Sequence, residues 1–136
     1  MDCLFCAISK KQIPSHVILE DAHVLAFLDI RPLSAGHTLV IPKVHAATIL
    51  DLPEKEMAPF LKGVKITNAL LTKTFSPDGF TMGINQGKAA GQDVDHLHFH
   101  IIPRWQGDKG GSIQSIINNP PKETLEEIAG RIKNAK

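Results

Sequence analysis

The chain carries almost no net charge: 15 Lys and Arg against 14 Asp and Glu leave +1 over 136 residues. That excludes bulk attraction to nucleic acid or to a membrane surface, although a local basic residue can still hold one phosphate. No apolar run is long enough to span a bilayer. The N-terminus lacks the basic-then-apolar pattern of a secretory leader, so a cytoplasmic location is the expectation. There is no internal repeat and no low-complexity tract. Cysteine is confined to Cys3 and Cys6, too close for a disulfide to stabilise a domain of this size. In a reducing compartment such a pair reads as half of a metal site or as a redox couple. The redox reading is the weaker, because the pair sits at the chain terminus rather than between a strand and a helix. A hydrophobic fraction of 43% and a charged fraction of 21% suit one globular domain, residues 1–136, with a real core.

What the chain does have is a row of histidines in an apolar run: His96-Leu97-His98-Phe99-His100-Ile101-Ile102-Pro103-Arg104. In a strand, alternate side chains share a face, about 6.5 Å apart along it. The three imidazoles would occupy one face while Leu97, Phe99 and Ile101 enter the core. Imidazole acts near neutrality as nucleophile, acid, base or metal ligand. Two functional readings follow. One is a nucleophile that attacks phosphorus, its second nitrogen held by a backbone carbonyl. The other is a zinc site gripped from one side. The plain alternative is three solvated histidines on an exposed strand.

Elsewhere the pattern predicts a short helix or turn over 3–10, strands at 17–20, 24–29 and 37–41, and a long helix from about 52 to 75. Further strands are expected at 80–85 and 97–103, and a last helix at 122–133. Pro53, with Glu54 and Glu56 behind it, suits a helix start. Met57, Phe60, Leu61, Val64, Ile66 and Leu70–Leu71 then recur at roughly helical spacing. Strands joined by short turns, with one long helix among them, indicate an α+β fold with an antiparallel sheet. Between the last two strands lies the turn Gln86-Gly87-Lys88-Ala89-Ala90-Gly91-Gln92. Its glycines would let backbone N–H groups approach an anion, with Asn85 and Gln92 as side-chain donors. Alone it reads more simply as a hairpin loop. His16 and His23, on surface turns, receive no role.

With these residues in hand, the chain resembles the histidine triad (HIT) family of nucleotide hydrolases and transferases. The motifs in order are Cys3-Leu4-Phe5-Cys6, Ile13-Pro14, Leu25 to Ile30, Gly36 to His45, Asn85 before Gly91-Gln92, and the histidine row running into Ile102-Pro103-Arg104. The nearest likenesses are short prokaryotic members and purine-nucleotide phosphoramidases. The resemblance implies a five-stranded antiparallel sheet with one long and one C-terminal helix, and a homodimer. His98 matches the nucleophile that holds a nucleotidyl group, His100 its phosphate-side partner, and His96 the supporting first position. Phe5, Ile8, Ile13, Phe27 and Ile30 match base-pocket positions, and Asp29 the carboxylate on the ribose hydroxyls. His37, Asn85, Gly91 and Gln92 match positions close to the nucleotide. Cys3, Cys6, His45 and His96 match a structural zinc set, and the chemistry itself requires no cofactor.

The resemblance also exposes a departure. Asp93 stands where many relatives carry Ser or Thr. An ionised carboxylate only accepts hydrogen bonds and repels phosphate. Asp93 therefore points away, is protonated, or faces a cationic leaving group. Three functions remain in view: a nucleotide hydrolase acting through His98, a nucleotide-binding sensor with little turnover, and a zinc hydrolase using the row as ligands.

Overall fold

The computed structural model describes residues 2–136. Five antiparallel strands form one sheet in the order β1-β2-β3-β5-β4: β1 Val17–Glu20, β2 Val24–Leu28, β3 Thr38–Pro42, β4 Gly79–Gly83 and β5 Phe99–Arg104. The first two strands are a hairpin whose turn is held by Asp21, whose Oδ1 accepts from the N–H groups of His23 and Val24. Helices α1 (Leu4–Ser9), α2 (Glu54–Phe75) and α3 (Leu125–Asn134) complete the α+β fold.

Both faces of the central strands are covered, which is why β2 and β3 are apolar almost throughout. Val24, Ala26 and Val40 face α2 with Ile101 and Leu97, against Phe60, Val64 and Leu71 of the helix. Gly63 lets the helix come close, since a Cβ there would lie 2.6 Å from Val24. Truncating a core residue such as Phe60 to alanine costs about 3–5 kcal/mol. On the opposite face, Leu25, Phe27, Leu39 and Ile41 receive Phe5 and Ile8 of α1. That face carries the site.

The sequence-based spacing on α2 merges two sides of the helix. Phe60, Val64 and Leu71 are buried, whereas Met57, Leu61, Ile66 and Leu70 are exposed. The last helix starts at Leu125, not Lys122, because Thr124 and Glu127 form a reciprocal cap there. No helix among the described residues is long and apolar enough to cross a membrane.

The largest correction concerns the histidine row. β5 begins at Phe99, so only His100 lies in the strand; His96 and His98 precede it. Pairing between β3 and β5 stops at Val40 with Phe99. Beyond that, the Pro42 carbonyl is taken by the His96 ring at 2.8 Å, and the Leu97 N–H turns to the Ala46 carbonyl. The ladder has nothing left to pair with. β4 shortens correspondingly, ending where Gly83 meets His100 instead of reaching Asn85.

Arg104 closes the body. Its guanidinium grips Asp108 through two nitrogens at 2.6 and 2.9 Å, and Thr81 Oγ1 and the Gly111 carbonyl through the third. Beyond this clamp the segment is largely exposed, including Ile116, Ile117, Leu125 and Ile132.

Candidate active site

Backbone acceptors fix the proton positions of the row. His98 Nδ1 lies 2.7 Å from the His96 carbonyl. A carbonyl only accepts, so Nδ1 carries the proton and Nε2 presents a lone pair. His98 is buried and lines a cleft, and among the described residues nothing hydrogen-bonds its Nε2. Phe5 stands edge-on to its ring with centroids 5.1 Å apart. The side chain is thereby held in one orientation.

His100 is polarised in the opposite sense by a relay of partners. The Leu33 N–H donates to His37 Nδ1 at 3.1 Å. Neutral His37 then carries its proton on Nε2, which lies 3.0 Å from His100 Nδ1. His100 in turn keeps its proton on Nε2, the atom left to donate into the cleft. Burial keeps both rings neutral: it lowers the His37 pKa, with Asp29 opposing. It also lowers His100 to about 4, aided by His98 and His37 and opposed by Asp29 and Asp93. The cleft thus faces one imidazole lone pair and one imidazole N–H side by side, their centroids 5.2 Å apart.

His96 turns the other way. Its Nε2 donates to the Pro42 carbonyl, leaving Nδ1 as a lone pair directed at sulfur. Cys3 Sγ lies at 3.4 Å and Cys6 Sγ at 3.5 Å, and Cys6 Sγ is 3.3 Å from His45 Nδ1. All four ligand atoms fall within 4.8 Å of one another. A tetrahedral zinc with ordinary Zn–S and Zn–N bonds sets its S···N edges at about 3.6 Å. The donor set and its spacing therefore fit zinc. Burial, then the neighbouring Cys3 thiol, raise the Cys6 pKa, and a bound cation would reverse that by taking the thiolate.

The cleft has a volume of about 260 Å³, near the lower end for small-molecule sites. Phe5, Ile8, Ile13, Phe27 and Ile30 form its apolar side. Asp29, Asn85, Gly91 and Asp93 join His98 and His100 around the rest. Asp29 Oδ1 accepts from the Arg31 N–H at 2.9 Å, and Oδ2 lies 3.5 Å from His37 Nε2. Two expected nucleotide contacts do not reach the cleft. His37 stands behind His100. Gln92 is buried and spans the loop, accepting from the Gly87 N–H and donating to the Ala47 and Val94 carbonyls.

The glycine turn is likewise not a phosphate cradle. The N–H groups of Gly87, Ala90, Gly91 and Gln92 are all spent on bonds within the loop. Gly91, at φ +95°, ends a short 3-10 turn close against the Asn85 amide.

Residues 10–107 match the HIT domain family. The protein belongs to that family. This HIT protein is 46% identical over 132 residues to an uncharacterized HIT-like protein of Methanocaldococcus jannaschii, spanning 94% of this chain and 99% of the other. It is 42% identical over 137 residues to the adenosine 5'-monophosphoramidase of Schizosaccharomyces pombe, covering 98% and 100% of the two chains. The crystal structure of a Zn-bound histidine triad family protein from Mycobacterium smegmatis superposes with a TM-score of 0.75 at 36% identity, over 100% of this chain and 99% of that one.

The fold also brings to this HIT cleft residues that sequence reasoning did not select: Leu4, Pro14, Ser15, Arg31, Leu39 and Val94. One had a signal. Leu39 follows His37 by two positions in the predicted strand and so shares its face; it pairs directly with His100. Arg31 and Ser15 lie on loops, where no periodicity announces a direction.

Proposed function

We propose that this HIT protein, a single HIT domain over 1–136, is a nucleotide hydrolase acting at the α-phosphate of a purine nucleotide. Its substrates are phosphoramidates or dinucleoside polyphosphates, and its product is the nucleoside monophosphate. The observation that carries this reading is the unpartnered His98 Nε2 in the cleft, its lone pair fixed by the His96 carbonyl. The kinship with an adenosine 5'-monophosphoramidase supports the substrate class.

In the first step His98 Nε2 gives its electron pair to the α-phosphorus. The bond from phosphorus to the leaving nitrogen breaks, and that nitrogen takes one proton from water, leaving hydroxide; in a dinucleoside polyphosphate the bond that breaks is to the bridging oxygen, which leaves as a phosphate anion. The nucleotide is now joined to His98. His100 Nε2–H donates to a phosphate oxygen throughout, an interaction that strengthens as charge develops there. In the second step water adds to phosphorus and gives up a proton, which neutralises the hydroxide left by the first step; the phosphorus–Nε2 bond breaks, and His98 regains its lone pair. One water is consumed overall. The apolar side of the cleft takes the base, and Asp29 accepts from the ribose hydroxyls. Base burial and the Asp29 contact position the phosphorus against Nε2 and lower the entropic barrier.

Cys3, Cys6, His45 and His96 would hold zinc, which supplies a cross-link between α1 and the row when bound. The residues that face phosphate are separate from this set. The exposed side of α2, with Met57, Leu61 and Leu70, supports a homodimer, which light scattering at micromolar concentration would reveal as twice the chain mass.

The direct test is a reaction with adenosine 5'-phosphoramidate quenched rapidly in alkaline denaturant, which preserves a phosphorus–nitrogen bond, followed by peptide mass spectrometry at neutral to basic pH. A nucleotidyl group on His98 is expected; turnover without any protein-bound nucleotide would overturn the covalent step. The second reading, a nucleotide sensor, is favoured by Asp93 alone. It predicts tight nucleoside monophosphate binding without turnover, and an Asp93→Ser change that switches activity on.

A further inference from the structure

Asp93 neither points away from the site nor is neutralised by a partner. It lines the cleft with His98 and His100, and among the described residues it takes part in no ion pair. Its charge reaches across the cleft, opposing the fall in the His100 pKa that burial causes. It also lines a second, open depression of about 420 Å³ formed by Asp2, Cys3, Leu4, His45, Asp93, Val94 and Asp95. Leu4, Asp93 and Val94 are common to the two cavities. None of the apolar residues assigned to the base (Phe5, Ile8, Ile13, Phe27, Ile30) borders the depression. Adjoining the cleft at Leu4, Asp93 and Val94, it offers a group leaving the phosphorus a space that the base does not occupy.

Three acidic residues line that depression, and one of them, Asp93, shares the cleft with His98, which is more than nine-tenths buried and has an unpartnered Nε2. A zinc held by two thiolates and two neutral imidazoles adds no net charge beside them. For a neutral or anionic leaving group such a lining is a cost without return. For a cation it is an attraction present once the phosphorus end is seated on His98 and His100.

We propose that Asp93, with Asp2 and Asp95, selects leaving groups that carry a positive charge: nucleoside phosphoramidates of diamines or polyamines, whose second nitrogen remains an ammonium. This rests on the proposed cleavage at His98. The phosphorus–nitrogen bond breaks as His98 Nε2 takes the phosphorus, the leaving nitrogen gains a proton from water, and the released diamine carries its distal ammonium through unchanged.

The test compares two adenosine 5'-phosphoramidates of equal length, one made from 1,4-diaminobutane and one from pentylamine, where a methyl replaces the ammonium. The pentylamine compound is the internal reference for each protein. The cationic compound is expected to be favoured in kcat/KM by roughly fivefold at low salt, a factor typical of partly exposed charge pairs. Added salt should shrink the ratio. Asp93→Asn should bring it close to parity, and Asp93→Lys should invert it. Calorimetry on His98→Ala measures affinities for the same two compounds without turnover. A tighter fit of the cationic compound supports the selection even if neither is hydrolysed, an outcome that would instead count against the hydrolase reading. Equal affinities and equal kcat/KM, or a preference that Asp93→Asn leaves unmoved, overturn it.

Discussion

His96 and His98 are two residues apart and both buried, yet their surroundings suit opposite chemistries. Around His96, imidazole lone pairs converge with two thiols on one point. Around His98 and His100, donors and acceptors alternate, so that one ring offers a lone pair and the next an N–H. The first arrangement suits a cation with soft ligands, and the second suits a tetrahedral anion. The ring itself does not separate the two histidines. The difference lies in which ring nitrogen a backbone carbonyl has claimed: Nε2 in His96, Nδ1 in His98.

The sharpest way to break this comparison is to remove the proposed nucleophile. His98→Ala should lower kcat/KM on adenosine 5'-phosphoramidate by about 10⁴-fold or more, while metal content by elemental analysis stays near that of the parent. If zinc is lost together with activity, the two regions are one site, and the zinc-hydrolase reading gains ground. The converse is Cys3→Ser with Cys6→Ser. It should abolish zinc binding and lower the melting temperature by about 5–10 °C, with activity of the folded protein changed only a few-fold. A loss as deep as that of His98→Ala would sink the division.

A smaller effect is expected behind the cleft. His37→Ala frees His100 from its donor and should cost about tenfold in kcat/KM. It should also raise the His100 pKa, read by NMR from its ring protons, because His37 is one of the groups holding it down. A tenfold loss with an unmoved His100 titration would mean that His37 acts only through packing.

The smallest effect is on stability. His100 titrates at about 4 when folded against about 6.5 unfolded. Between those values the unfolded chain binds more protons, so stability is complete above about pH 6.5 and falls as pH drops toward 4. The urea midpoint should accordingly decrease from pH 7 to pH 5, and His100→Asn should flatten that slope. A midpoint independent of pH over this range would show that the ring is not held neutral.

Much of this was legible in the sequence, but unevenly. The two central strands, the hairpin at Asp21 and the span of α2 followed from periodicity and turn residues, because both faces of β2 and β3 are covered. The α+β class followed from the same signals. The strand through the histidine row did not. Alternation of His96, Leu97 and His98 looks like a strand whether or not the neighbouring carbonyls are free to pair, and the Pro42 carbonyl was not. Glycines at 87 and 91 leave both a plain loop and room for an anion open in the sequence, and the bonds that consume their N–H groups come from a loop geometry without periodic signature. The loop-spanning bonds of Gln92 have no sequence signature for the same reason. The meeting of Cys3 and Cys6 with His45 and His96 came from resemblance, since residues so far apart in sequence carry no local mark of contact.

The acceptors that polarise the row belong to the main chain, at Pro42 and His96. Every residue type provides such a carbonyl, so this instruction is written in the path of the backbone rather than in the alphabet of side chains. Point substitutions at either position leave the carbonyl in place, whereas a single-residue insertion between 42 and 98 displaces it. The site is thus tolerant of spelling and intolerant of spacing. Anyone grafting the histidines onto another scaffold must carry over two carbonyl oxygens along with three rings.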